Sequence, residues 1–130
     1  MLEDTELFKQ AREASATAYV PYSHFPVGAA LVTKNGQVFQ GCNIENASFG
    51  LTNCAERTAI FNAVSSGVKT FEMIGIYGET DEPISPCGAC RQVLTEFCPD
   101  EMPVWLFSKT GDVKKTTVGE LLPYHFKNLT

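Results

Sequence analysis

Residues 27–42 read VGAALVTKNGQVFQGC, and this stretch decides the fold. The apolar run Val27 to Thr33 fits a buried strand, and Val38 to Cys42 fits a second one. Asn35-Gly36 between them gives the strongest short-range hairpin signal. Upstream, Leu7, Ala11, Ala14 and Ala18 recur at helical spacing with Phe8 beside them, which predicts a helix over Thr5 to Tyr19, ended by Pro21. Downstream, Cys54 to Ser66 reads as a helix with Ala55, Ala59, Ile60, Ala63 and Val64 on its inner side and Gly67 at its end. Met73 to Tyr77 is a short strand. Pro86 opens a further helix to Cys98, where Pro99 ends it. Val104 to Phe107 is another strand, Gly111 marks a turn, and Thr117 with Glu120 has capping-box spacing for a short helix through Leu122. A hairpin followed by alternating helices and strands implies a mixed α/β sheet covered by helices, with parallel crossovers into the two later strands.

The chain has 130 residues, 44% of them hydrophobic and 19% charged, and shows no repeat or linker. A single domain over residues 1–130 is expected. Ten basic against fifteen acidic side chains give a net charge of −5 and a pI near 4.9. That balance argues against a nucleic-acid polymer or an anionic membrane as partner. No apolar run reaches the roughly 20 residues of a membrane helix, and Met1 to Gln10 lacks the order of a signal peptide. A cytoplasmic location is expected. The cysteines are Cys42, Cys54, Cys87, Cys90 and Cys98. An odd set without an export signal favours metal or thiol chemistry over disulfides.

Two segments concentrate the chemistry: Asn53-Cys54-Ala55-Glu56-Arg57 and Ser85-Pro86-Cys87-Gly88-Ala89-Cys90-Arg91-Gln92. Cys87 and Cys90 at the start of a helix share one face of its first turn. Unpaired N–H groups there favour thiolate over thiol. Cys54 sits at the start of the preceding helix. Three thiolates and an open position describe a catalytic zinc site, where water becomes a nucleophile near neutral pH. Three negative ligands overcompensate Zn²⁺, so Arg57 and the two helix N-termini are expected to donate to the sulfurs. Glu56, not itself a ligand, is placed to move protons between water and a substrate nitrogen.

Blander readings exist. Asn53 could cap the helix with Glu56 as its capping-box partner. Cys-x-x-Cys alone could be a redox pair or half of a zinc knuckle. Cys42 or Cys98 could close the site as a fourth ligand, although Cys98 lies roughly 12 Å along the helix from Cys90. Asn43 and Glu45, two apart after a strand, point to one side if the segment stays extended, and suit neighbouring hydroxyls; Asn43 and Asn46 could instead form turns. His24 and His125 lack ligand spacing, and Tyr124-His125-Phe126 suits a docked tail.

Cys-x-Glu followed by Pro-Cys-x-x-Cys is the recognised pattern of zinc deaminases. The chain resembles the small three-cysteine cytidine deaminases of nucleoside salvage over nearly its whole length. The resemblance rests on Tyr19-Val-Pro-Tyr-Ser, Phe25, Val27-Gly-Ala-Ala, Gly41-Cys-Asn-Ile-Glu-Asn-Ala, the two cysteine segments and Glu120-Leu-Leu-Pro. It implies a three-layer α/β/α domain with a five-stranded mixed sheet, and hydrolytic deamination of cytidine and deoxycytidine. It implies one zinc ion on Cys54, Cys87 and Cys90, Glu56 as proton carrier and Arg57 bonded to ligand sulfurs. It places Phe25 against the pyrimidine, Asn43 and Glu45 at the ribose, and Ala55 among the substrate contacts. It further implies a homotetramer in which Phe126 reaches a neighbour's base and Ala47 lies near a neighbour's ribose. Phe49 stands where the family often has Tyr. Two other readings remain open from the residues: an aminohydrolase of a cytosine-like nucleoside antibiotic, and a structural-zinc interaction module.

Overall fold

The hairpin turns at Asn35-Gly36, with the positive φ at Gly36 alone of the two. Gly36 takes φ +87° and its N–H reaches the Thr33 carbonyl at 3.1 Å. The turn joins β1 (Val27–Thr33) to β2 (Val38–Cys42) in an antiparallel pair that sets Leu31 opposite Phe39 and Gly28 opposite Cys42. The structure, a computed structural model, describes residues 2–126. On its other side β1 pairs antiparallel with β3 (Phe71–Gly78), which pairs parallel with β4 (Pro103–Phe107). β5 (Val113–Thr117) closes the order β2-β1-β3-β4-β5, antiparallel to β4.

Both later crossovers are parallel, as expected. β3 runs parallel to β2 across β1, and β4 parallel to its neighbour β3. The pattern Val-Lys-Lys-Thr-Thr did not announce β5, because the strand is half-exposed and lies at a sheet edge. Lysines on such a strand discourage pairing with another chain. Lys115 lies over the Trp105 ring and pairs with Asp4 at 3.1 Å.

Helices cover both faces, giving the three layers. On one side α1 (Asp4–Ser15) sets Leu7 and Ala11 against Ala30, Val32, Met73 and Tyr77. On the other, α2 (Ala55–Ser65), α3 (Gly88–Phe97) and α4 (Val118–Leu121) enclose Leu31, Ile74, Ile76, Leu94 and Val104. No described helix is long and apolar enough to cross a membrane.

Three local expectations are corrected. α1 stops at Ser15, four residues short of Tyr19. The Ser15 and Thr17 hydroxyls donate to the Arg12 and Ala14 carbonyls, and the Tyr19 N–H pairs instead with the Asn43 carbonyl at 3.0 Å. Such local hydroxyl bonds compete with helix continuation. α3 begins at Gly88 with Cys87 as its N-cap, so Pro86 lies outside the helix. Cys54, not Asn53, is the N-cap of α2. Asn53 Nδ2 donates to Thr58 Oγ1 at 3.0 Å, which leaves Glu56 free of a capping-box role. The capping box at α4 does form, with the Glu120 N–H on Thr117 Oγ1 at 3.2 Å.

Two glycines set how closely the helices approach the sheet. A Cβ on Gly28 would lie 2.0 Å from the Ala11 carbonyl oxygen. A Cβ on Gly41 would lie 2.3 Å from the Ala59 nitrogen and 2.4 Å from the Ala55 oxygen. The first turns of α2 therefore rest directly on β2. Gly41→Ala must lift that end of the helix, with a cost of about 1–3 kcal/mol. A urea-unfolding midpoint unchanged from the parent protein would contradict this packing.

Candidate active site

The crossovers bring both cysteine segments to one end of the sheet. Cys54 ends the connection from β2 and Cys87 the connection from β3, each as an N-cap with extended backbone. Cys90 follows one turn into α3 and is fully buried. The Cys54 and Cys87 sulfurs lie 3.7 Å apart and those of Cys87 and Cys90 3.4 Å apart. All three atoms fall within 4.8 Å of one another. Thiolates at about 2.3 Å around a tetrahedral zinc lie about 3.8 Å apart, so this donor set fits that ion. Among the described residues, this group of three contains neither Cys42 nor Cys98. Cys98 is a core residue whose burial pushes its thiol up to about 12. Cys42 accepts from Thr17 Oγ1 at 3.6 Å.

The surroundings favour negative charge on sulfur. Cys90 donates to Cys54, and this bond together with Arg57 holds the Cys54 thiol down to about 5, against the opposing effect of burial. Cys90 itself is pushed up, by that same bond to Cys54 and by burial. Arg57 Nη2 donates to Cys54 Sγ at 3.4 Å, and Arg57 Nε is buried without a partner. Glu56, on the first turn of α2, is only 3% exposed. Burial pushes its carboxyl up to about 7, with the nearby Cys54 charge adding to the effect.

A cavity of about 160 Å³ opens beside the sulfurs. Asn43, Cys54, Ala55, Glu56 and Cys87 line it, together with Val27, Ile76, Ile84 and Ser85. The Asn43–Glu45 segment is extended, with Ile44 bridged to Tyr19 and to Asn53. Both polar side chains therefore face the same way, onto residues 22–27. Asn43 Oδ1 accepts from the Val27 N–H and its Nδ2 donates to the Phe25 carbonyl, both at 2.9 Å. Glu45 Oε1 accepts from the Tyr22 and Ser23 N–H groups at 3.0 and 3.1 Å, and Oε2 from the Ser23 hydroxyl. The Ser23 hydroxyl leads the groups that hold the Glu45 carboxyl below its usual range. These bonds secure a turn in which His24 adopts φ +55°.

Residues 1–106 match the family model described as the cytidine and deoxycytidylate deaminase zinc-binding region. The chain belongs to this deaminase family. It is 53% identical over 121 residues to a cytidine deaminase of Sporosarcina psychrophila, covering 93% of this chain and 89% of that protein. It is 54% identical over 120 residues to one of Halalkalibacterium halodurans, covering 92% and 91%. The crystal structure of cytidine deaminase from Burkholderia pseudomallei superposes with a TM-score of 0.94 at 51% identity, covering 96% of this chain and all of that one.

Within this deaminase the other anticipated residues lie further out. Glu45 lines a separate cleft with Tyr22, Ser23, Phe49 and Thr52. Phe25 is half-buried and joined to the cavity through Asn43. Ala47 is exposed on the loop before α2. Phe126 is exposed, its carbonyl held by Gln92 Nε2 at 2.7 Å. The sequence reading missed Ile76, Ile84 and Ser85 as cavity walls, since nothing in their pattern separates them from core or loop. It also missed Ser23 as the hydroxyl that orients Glu45, although Tyr22-Ser23 was visible in the motif.

Glu45→Ala removes the acceptor for three donors of the 22–23 turn. Amide exchange at Tyr22 and Ser23 should quicken about tenfold or more while zinc content stays at the parent level. Unchanged exchange at both amides would show that the carboxylate does not hold the turn.

Proposed function

We propose that this chain hydrolyses cytidine and deoxycytidine to uridine and deoxyuridine with release of ammonia, as one catalytic domain of cytoplasmic pyrimidine salvage. The observation that carries the reading is the buried Glu56 carboxylate in the wall of a cavity shared with Cys54 and Cys87. The cavity, at about 160 Å³, falls below the roughly 300 Å³ of the smallest drug-sized pockets. It suits one ring, with the sugar left toward the cleft at Glu45. One zinc ion held by Cys54, Cys87 and Cys90 would supply the Lewis acidity that makes water nucleophilic near neutral pH.

Glu56 removes one proton from the attacking water and places it on ring N3 as oxygen bonds to C4. It then carries the water's second proton to the 4-amino group. The C4–N bond breaks, ammonia leaves and the C4 carbonyl forms. A carboxylate held near neutral affinity suits both transfers. Arg57 keeps its positive charge beside the Cys54 sulfur throughout. Phe25 packs against the pyrimidine, with Ala55 at the cavity wall, and Asn43 and Glu45 meet the ribose. A carboxylate offers about four acceptor sites, and the 22–23 turn uses three on Glu45, which leaves one for a hydroxyl.

The net charge of −5 supports a free nucleoside as substrate, since a polynucleotide needs basic surface. Tyr19, Tyr22, Ile44, Phe49 and Leu51 are exposed, and the Tyr22 and Phe49 rings meet edge to face at 6.1 Å. Such an apolar surface supports a homotetramer in which Phe126 and Ala47 serve neighbouring sites. Thiol donors support a reducing compartment.

Glu56→Gln should keep full zinc stoichiometry and lose cytidine turnover by about 10²–10⁴-fold, read as ultraviolet absorbance loss. Turnover within a few-fold of the parent would remove Glu56 from the proton path. Cys87→Ala should lose both zinc and turnover; full zinc content there would remove Cys87 from the ligand set.

A further inference from the structure

The Cys87 ligand sits in an exposed connection, at the N-cap of α3 rather than inside it. The helix reaches only the Cys87 carbonyl, and burial does not fix the Pro86–Cys87 peptide ahead of it. Arg91, one turn into α3, does so. Its Nε donates to the Pro86 carbonyl at 2.9 Å, the acceptor of the peptide bond directly preceding Cys87. Nη2 donates to Ser85 Oγ at 2.9 Å, and Ser85 is itself a wall of the cavity. Nη1 donates to the Leu121 carbonyl at 2.7 Å, at the end of α4. The main-chain N–H of Arg91 also bonds the Cys87 carbonyl at 3.0 Å.

One guanidinium thus grips the two residues before Cys87 and anchors them to a different element. Its three acceptors come from three separate residues and demand the planar fork of arginine. A lysine ammonium, a single point on a flexible stem, cannot replace that geometry. Arg57, by contrast, touches sulfur itself. The two arginines divide the work: one bonds a donor atom, the other holds the backbone that presents one.

We propose that Arg91 is a positioning residue for the metal centre, acting through the Ser85-Pro86-Cys87 backbone to hold Cys87 Sγ where it meets Cys54 and Cys90. The proposal rests on Cys87 being a zinc ligand. Groups that orient metal ligands typically account for 10–100-fold in metal affinity. Geometry, not charge, is the decisive property, so the conservative change should be nearly as damaging as truncation.

The test is zinc affinity of the holoprotein, measured by competition with a chromogenic chelator, for the parent, Arg91→Lys, Arg91→Ala and Phe8→Leu. Phe8 packs on Tyr77 and Phe107 beneath the opposite helix layer, so its variant lowers stability without touching the metal loop. Far-ultraviolet circular dichroism and thermal midpoints accompany each measurement. Arg91→Lys and Arg91→Ala should weaken zinc binding about tenfold or more, and Phe8→Leu should stay within twofold of the parent. Parent-like affinity in Arg91→Lys would overturn the proposal, because a charge alone would then suffice. Equal weakening in Phe8→Leu at a matched loss of thermal midpoint would also overturn it, since Arg91 would then act only through overall stability. If Arg91→Ala does not fold, Arg91→Lys decides. Cys87→Ala separates the two readings: zinc loss there with full affinity in Arg91→Lys defeats the positioning role alone, whereas zinc retention in Cys87→Ala defeats the ligand assignment beneath it.

Discussion

Two helix N-termini meet at one end of the sheet, and three sulfur atoms fill the space between them. Everything functional follows from holding that negative charge in a place where Cys90 is buried, Cys54 half-buried and Cys87 exposed. The unpaired N–H groups of α2 and α3 and the Arg57 guanidinium supply the compensating polarity. The topology makes the meeting possible. β2 and β3 run parallel with antiparallel β1 between them, so the connections leaving both strands emerge at the same end as the start of β1. Sites in α/β sheets recur outside the carboxyl ends of parallel strands. Here Cys54 and Cys87 stand at two such ends, and Val27 closes the crevice from the strand between.

Polar groups around the crevice are spent first on the protein's own backbone. Asn43 bonds the 25–27 strap through both ends of its amide, and Glu45 binds the preceding turn through both oxygens. If they meet the sugar as proposed, their placement before any ligand arrives would reduce the ordering cost of binding. The same economy holds on the other wall, where Arg91 commits its guanidinium to three backbone or hydroxyl oxygens. Close packing completes the frame. Gly28 and Gly41 admit helix backbone where any side chain would collide, so the first turn of α2 is fixed against β2.

The hairpin and the two central helices were legible because local chemistry dictates them, and the three-cysteine cluster because its two segments together form a specific pattern. Gly36 takes φ +87° in the hairpin turn, Gly67 takes φ +90° just past α2, and Thr117 caps α4. β5 was not legible by residue pattern, because Lys114 and Lys115 lie exposed at a sheet edge, where Lys115 pairs with Asp4, rather than in a core. Nor was the early end of α1, where two hydroxyls divert the backbone. Glu56 was found by its spacing from Cys54, but its burial is a tertiary fact, as is the cavity wall made by Ile76 and Ile84. Asn43 and Glu45 were read as facing one side, and they do. What they hold in the free protein could not be foreseen, since the 22–27 turn reaches them across 16 to 23 positions of chain.

Cys54 and Cys87 are separated by 33 positions, and Cys87 with Cys90 belongs to a later crossover unit. An ion gripping all three would therefore act as a removable cross-link between two independently built βα units. Chelation that exists only in the native arrangement adds its free energy to folding. The centre that performs the chemistry would then double as a clasp for the scaffold, and stripping the ion would loosen architecture as well as silence it.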